Sequence, residues 1–134
     1  MEPRAQVKML EASAAGAPDR WRTIWNIDNA GDSPLEIFSA RLPHGKFRSA
    51  EKVLAPPVVL APHGNGRIEI EACCGEPPGA EFENGFLILR AAYVSEQWLI
   101  LTRVRIRIDS RGTPTAATEL ITVQQVGFSE TRAG

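Results

Sequence analysis

The chain is 134 residues long, 43% apolar and 23% charged, with a net charge of −1. That is one domain with enough material for a hydrophobic core. Near-neutral charge argues against nucleic acid as a main partner, since neutralising phosphates needs a basic excess, and no run approaches the ~18 consecutive apolar residues of a membrane span.

The first residues, MEPRAQVKMLEASAAGAP, lack the basic-then-apolar order of a secretory signal. A cytoplasmic protein is the expectation. Residues 6–12 predict a first strand; 14–19, small residues with Gly16 and Pro18, predict a loop. Residues 21–29 alternate, with Trp21, Thr23, Trp25 and Ile27 on one side and Arg22, Asn26 and Asp28 on the other. The run NAGDSP at 29–34 is a turn cluster, 35–42 a strand, and Pro43-His44-Gly45 closes it. Residues 47–54 predict a more polar strand at a sheet edge, broken at Ala55-Pro56-Pro57. A short extended run at 58–60 leads into a second Pro-His-Gly at 62–64. Residues 67–73 alternate again, with Ile68, Ile70 and Ala72 inward, and 75–85, with Pro77, Pro78 and Gly79, predict a long loop. A hairpin follows over 86–109. Residues 111–114 then make a turn, with room for a short helical turn at 115–120, and 119–126 form the last strand.

The hairpin stretch, FLILRAAYVSEQWLILTRVRIRID, is broken at Ser95-Glu96 between two apolar, β-branched runs. That break predicts Tyr93 opposite Trp98, Ala91 opposite Ile100, Leu89 opposite Thr102 and Leu87 opposite Val104. These residues share one face, which must be core. The other face carries Phe86, Ile88, Arg90, Ala92, Leu99, Leu101, Arg103, Arg105 and Arg107. Cross-strand partners for the arginines are expected at Glu69 and Glu71, with Arg105 opposite Phe86.

About eight strands separated by turn signals predict an all-β antiparallel sandwich of seven to nine strands. It is read as a single domain over 1–134, its core spanning about 6–127 and followed by a flexible C-terminal tail. Trp25, Ile27, Ile68, Ile70, Leu87, Leu89, Trp98, Ile100 and Ile106 are the expected core.

The run WNIDNAGDSPLEI, followed by VVLAPHGNGRIEIEA, is similar to bacterial immunoglobulin-like and fibronectin-like modules. In these a strand ends in Asn-x-Gly, a turn leads to an apolar strand, and a Leu-x-Pro-x-Gly turn precedes an alternating strand. The resemblance covers about residues 21–126 and implies an immunoglobulin-like β-sandwich. Such a fold hosts many functions, and no catalytic set comes with it. The chain departs from antibody domains in its cysteines: Cys73 and Cys74 are adjacent, so they cannot staple two sheets together.

Chemistry-bearing patterns are sparse. His44, His63, Cys73 and Cys74 are the only soft ligands, and their spacing is unlike the paired ligands of a zinc site. Counting an EF-hand loop from Asp28 puts Ser39 where a glutamate is required. The serines lie in no nucleophile elbow, and no glycine pattern for phosphate binding occurs. No metal, cofactor or catalytic residue is therefore assigned. What remains is the outer face of the hairpin, since contiguous exposed apolar residues mark contact surfaces. Phe86, Ile88, Leu99 and Leu101, edged by Arg90, Arg103 and Arg105, are the expected protein interface. The favoured expectation is a non-enzymatic interaction module that self-associates as a homodimer or docks on another protein. The alternative is a small-ligand or metal-binding, enzyme-like domain using His44, His63, Cys73 and nearby acidic residues.

Overall fold

Alternating side chains force each segment to bury one face, and the chain does so with strands throughout. The structure, a computed structural model, describes residues 1–43 and 45–126. The strands are β1 (Ala5–Ala14), β2 (Arg20–Asn29), β3 (Leu35–Leu42), β4 (Ser49–Leu60), β5 (Asn65–Cys73), β6 (Glu81–Tyr93), β7 (Glu96–Ile108) and β8 (Pro114–Val126). They form two antiparallel sheets, one of three strands ordered β1-β2-β5 and one of five ordered β4-β3-β6-β7-β8. His44 and the predicted tail at 127–134 lie outside the described residues.

The core is where the inner faces of the two sheets meet. Trp25, Ile27, Ile68 and Ile70 come from the smaller sheet; Leu87, Leu89, Trp98, Ile100 and Ile106 come from the larger. All of these expected core residues are 6% exposed or less. Several buried polar groups find hydrogen bonds, which a low-dielectric interior favours, while Trp98 Nε1 and Thr102 Oγ1 are buried without one. The Thr23 hydroxyl donates to the Ile70 carbonyl at 2.8 Å and accepts from Trp25 Nε1 at 2.8 Å. Asn29, 1% exposed, donates to the Ser33 carbonyl at 2.8 Å and accepts from the Gly31 amide at 3.0 Å. The NAGDSP segment is thus a turn held by its own asparagine.

Several boundaries differ from the sequence reading. β4 is one strand through Pro56 and Pro57 rather than two pieces. Its pairing with β3 jumps from Ile37↔Val58 to Ser39↔Val53, so the prolines sit in a bulge where their missing donors cost no ladder bond. β4 is an edge strand, as its polarity suggested. β6 begins at Glu81, inside the expected loop, and β8 at Pro114, so residues 115–120 are strand and not a helical turn.

The hairpin register is also corrected. The turn is Val94-Ser95, both with positive φ (49° and 63°), and it places Ala91 opposite Trp98 and Tyr93 opposite Glu96. Positive φ at both central residues is the type I′ geometry, whose twist matches that of paired strands. The slip relative to expectation is two residues. Because side chains alternate with period two, the inner and outer faces are unchanged.

Candidate functional site

The outer face of the five-stranded sheet is the candidate. Cross-strand pairing builds it from the middle outwards. On β6 and β7, Ile88 lies opposite Leu101, Arg90 opposite Leu99 and Phe86 opposite Arg103. On β8, Gln124 lies opposite Leu99, Thr122 opposite Leu101 and Leu120 opposite Arg103. On β3, Glu36 lies opposite Ala92 and Arg41 opposite Ile88, with Phe38 in the bulge between Ile37 and Ser39. Phe38, Phe86, Ile88, Leu99 and Leu101 are half-buried, whereas Leu120 and Val126 on β8 and Val53 and Val59 on β4 are exposed. The smaller sheet packs on the opposite face of this sheet.

The structure therefore brings Phe86, Ile88, Arg90, Leu99, Leu101, Arg103 and Arg105 onto one face. It divides that face into two halves. Towards the 94–95 turn Ile88, Leu99 and Leu101 adjoin, with Arg90, Gln97 and Gln124 around them. The other end is a charge lattice centred on Arg105, which reaches Glu81 at 3.1 Å, Glu83 at 2.6 Å and Glu119 at 3.1 Å. Arg107 pairs with Glu81 at 2.9 Å, and Arg103 lies 3.8 Å from Glu119. Hydrogen bonds from Arg107 and Arg105 hold the Glu81 carboxyl below its ordinary range. Those from Arg105 to Glu119 and Glu81 push the guanidinium higher.

Two local devices create this lattice. A bulge between Phe82 and Gly85 leaves Glu83 and Asn84 opposite Arg105, with Asn84 at φ 64°. Gly85 beside it fits a tight space, since a Cβ there would sit 3.0 Å from Val104 Cγ2. On the other side a break between Arg103 and Val104 frees Glu119 from the ladder. The expected arginine partners were thus misplaced. Glu71 pairs with Arg20 at 2.6 Å on the smaller sheet, Arg103 and not Arg105 faces Phe86, and the true partners are Glu81 and Glu83, from the segment read as a loop, and Glu119 on β8.

Among the described residues the soft ligands do not converge. His63 precedes β5 and Cys73 ends it, at opposite ends of a strand. His63 Nε2 lies 2.7 Å from Asp32 Oδ1, and both side chains are largely exposed. Cys73 and Cys74 are free thiols; burial raises the Cys74 pKa. Among the described residues no group of three or more His, Cys, Asp or Glu could hold a metal ion, and no helix is long and apolar enough to cross a membrane.

Sequence reasoning missed the part played by β8. Its outward residues, Leu120, Thr122, Gln124 and Val126, extend the hairpin face by one more strand. The signal was present as alternation with Ile121 and Val123, which pack on the core. Beside β8, a groove of about 880 Å³ is lined by it and by the first residues of the chain; Arg4, Lys8, Asp28, Glu119 and Ile121 are among its lining. The two sides touch where Thr118 Oγ1 donates to the Val7 carbonyl at 2.6 Å. Neither the models of known protein families nor the curated proteins compared with this chain match it.

Proposed function

We propose that this chain is a non-enzymatic, immunoglobulin-like interaction module whose outer sheet face meets a protein, the simplest partner being a second copy of the chain. Strand order supports the immunoglobulin-like part. In such sandwiches the first, second and fifth strands share one sheet and the third, sixth and seventh share the other. The same division holds here, with β4 moved to the edge beside β3 and β8 added beyond β7.

The observation that carries the interaction reading is the apolar cluster of Ile88, Leu99 and Leu101 on the outer face. Core demand is met entirely by the opposite face, so Ile88, Leu99 and Leu101 need another reason to be apolar. Open to water they would be a solubility liability; under a partner they would be an asset. The ion-paired arginines fit a polar rim around a less polar centre.

The test is a Leu99→Asp, Leu101→Asp variant followed by light scattering, with circular dichroism to verify the strand content. The parent is expected to associate and the variant to dissociate. A parent that stays monomeric between about 1 and 100 μM, the range of modest affinities, overturns self-association.

A further inference from the structure

We infer that two copies of the chain join edge to edge through β8, merging their five-stranded sheets into one continuous sheet. The inference rests on the self-association reading above and assigns its geometry.

The first ground is what the β8 edge lacks. Among the described residues β8 pairs with β7 alone and ends the sheet. An edge strand presents unpaired N–H and C=O groups to any other strand, so proteins blunt their edges with charge, proline, bulges or shortness. β8 runs for 13 residues, and from 120 to 126 its sequence is Leu-Ile-Thr-Val-Gln-Gln-Val. That run contains no charge, proline or glycine, and no register break. It combines β-branched residues with neutrality, the composition that favours strand addition.

The second ground is self-complementarity, which chooses a second copy over an unrelated peptide. Place a two-fold axis at Val123, so that antiparallel partners sum to the same register. Leu120 then faces Val126 of the second copy, and Thr122 faces Gln124 of the second copy, all on the outer face. On the inner face Val123 meets its own counterpart and Ile121 meets Gln125 of the second copy. The register therefore puts 48%-exposed Leu120 against 38%-exposed Val126 twice over. It also sets amide against hydroxyl and brings no like charges together within the run. A two-fold isologous contact is the commonest soluble assembly, and cross-strand pairs of this kind are what stabilise a sheet.

The experiment uses the full chain. Thr122→Lys with Gln124→Lys places lysines opposite lysines across the proposed axis while touching no core residue. Sedimentation equilibrium should show dimerisation weakened by roughly a hundredfold, since juxtaposed like charges oppose association strongly. Mixing that variant with a Thr122→Glu, Gln124→Glu variant should restore a heterodimer, because each lysine then faces a glutamate. Amide exchange over residues 120–126 should slow with rising concentration of the parent.

The Leu99→Asp, Leu101→Asp variant separates this inference from the reading it rests on. If it remains dimeric while the lysine variant dissociates, the contact is the edge. If the lysine variant stays dimeric and the aspartate variant dissociates, copies meet face to face and the edge inference is wrong. A monomeric parent overturns both.

Discussion

At one edge of the five-stranded sheet, β4 carries Glu51, Lys52, Pro56 and Pro57, and its pairing with β3 shifts register twice. At the other, β8 is an unbroken uncharged run from 120 to 126. The contrast extends to how each edge meets the smaller sheet. β4 closes down on β5: Lys52 Nζ donates to the Glu69 carbonyl at 2.7 Å, and Leu60 is so close to Gly66 that a Cβ there would lie 2.6 Å from Leu60 Cδ2. β8 meets β1 through the Thr118–Val7 hydrogen bond, with a groove alongside lined by residues of both. One edge carries the devices that refuse another strand along its length, whereas on β8 they stop at Glu119, before the 120–126 run. Both belong to the same sheet, with the same core beneath, so the difference is not forced by packing. It teaches that exposure alone is a poor guide to a contact surface. Val53 and Val59 on β4 are 70% and 60% exposed, more than Leu120 or Val126, yet they lie on the protected edge.

The largest effect that would sharpen this contrast is at the closed edge. Leu60 is 3% exposed, wedged between β3 and β5. Leu60→Ala removes buried methyl groups and leaves a cavity, so it should cost about 2–5 kcal/mol in urea denaturation. A loss below about 0.5 kcal/mol, the scale of surface changes, would mean the β4 edge is not closed onto the smaller sheet. The matching probe of the open edge is Thr118→Ala. It deletes the hydroxyl that bonds the Val7 carbonyl, next to a groove from which water can replace it. The expected cost is about 0.5–1.5 kcal/mol, that of one hydrogen bond. If Thr118→Ala proved as damaging as Leu60→Ala, the two sides would be equally tied and the contrast would fail.

How much of this was legible in the sequence follows from which forces act locally. The faces of β2, β5, β6 and β7 were readable because alternation is a property of neighbours along one strand, and Trp25, Ile70, Leu89 and Ile100 are buried as read. Even the two-residue slip in the hairpin left the candidate face intact, since its period matches that of the side chains. What resisted reading depended on other strands. Glu81 and Glu83 looked like solvated loop residues, because only the bulge before Gly85 and the neighbouring Arg105 make that segment a strand. Val94-Ser95 was hidden as a turn because valine disfavours positive φ, while Ser95-Glu96 is the more polar pair. The neighbour of β7 was hidden too. Nothing within residues 114–126 states that they pair with 97–108, and that pairing sets the β8 edge. Strand order is decided by the whole set of buried faces, so the candidate face was visible and its boundary was not.

The smallest expected effect concerns the charge lattice, which β6, β7 and β8 share. Glu81 has its pKa lowered by hydrogen bonds from Arg107 and Arg105. A depressed carboxylate favours folding fully above its unfolded pKa, ordinarily about 4.3. That contribution is lost as pH falls through the lower, folded value, because protonating Glu81 gives up pairs that the unfolded chain never had. Glu81→Gln should therefore lower the melting temperature slightly at pH 7, and the difference from the parent should shrink towards pH 3. The sign is fixed but the size is small, since Glu81 and Arg105 are solvent-exposed and exposed pairs are weak. Salt at ~1 M, which shortens the screening length to about 3 Å, should shrink the pH 7 difference as well. The same substitution should leave association unchanged if the contact is the uncharged run of β8, which lies beyond Glu119 and outside the lattice. Dimerisation that weakened together with the melting temperature would instead place the charged half of the face inside the contact, and would erase the distinction between a protected edge and an open one.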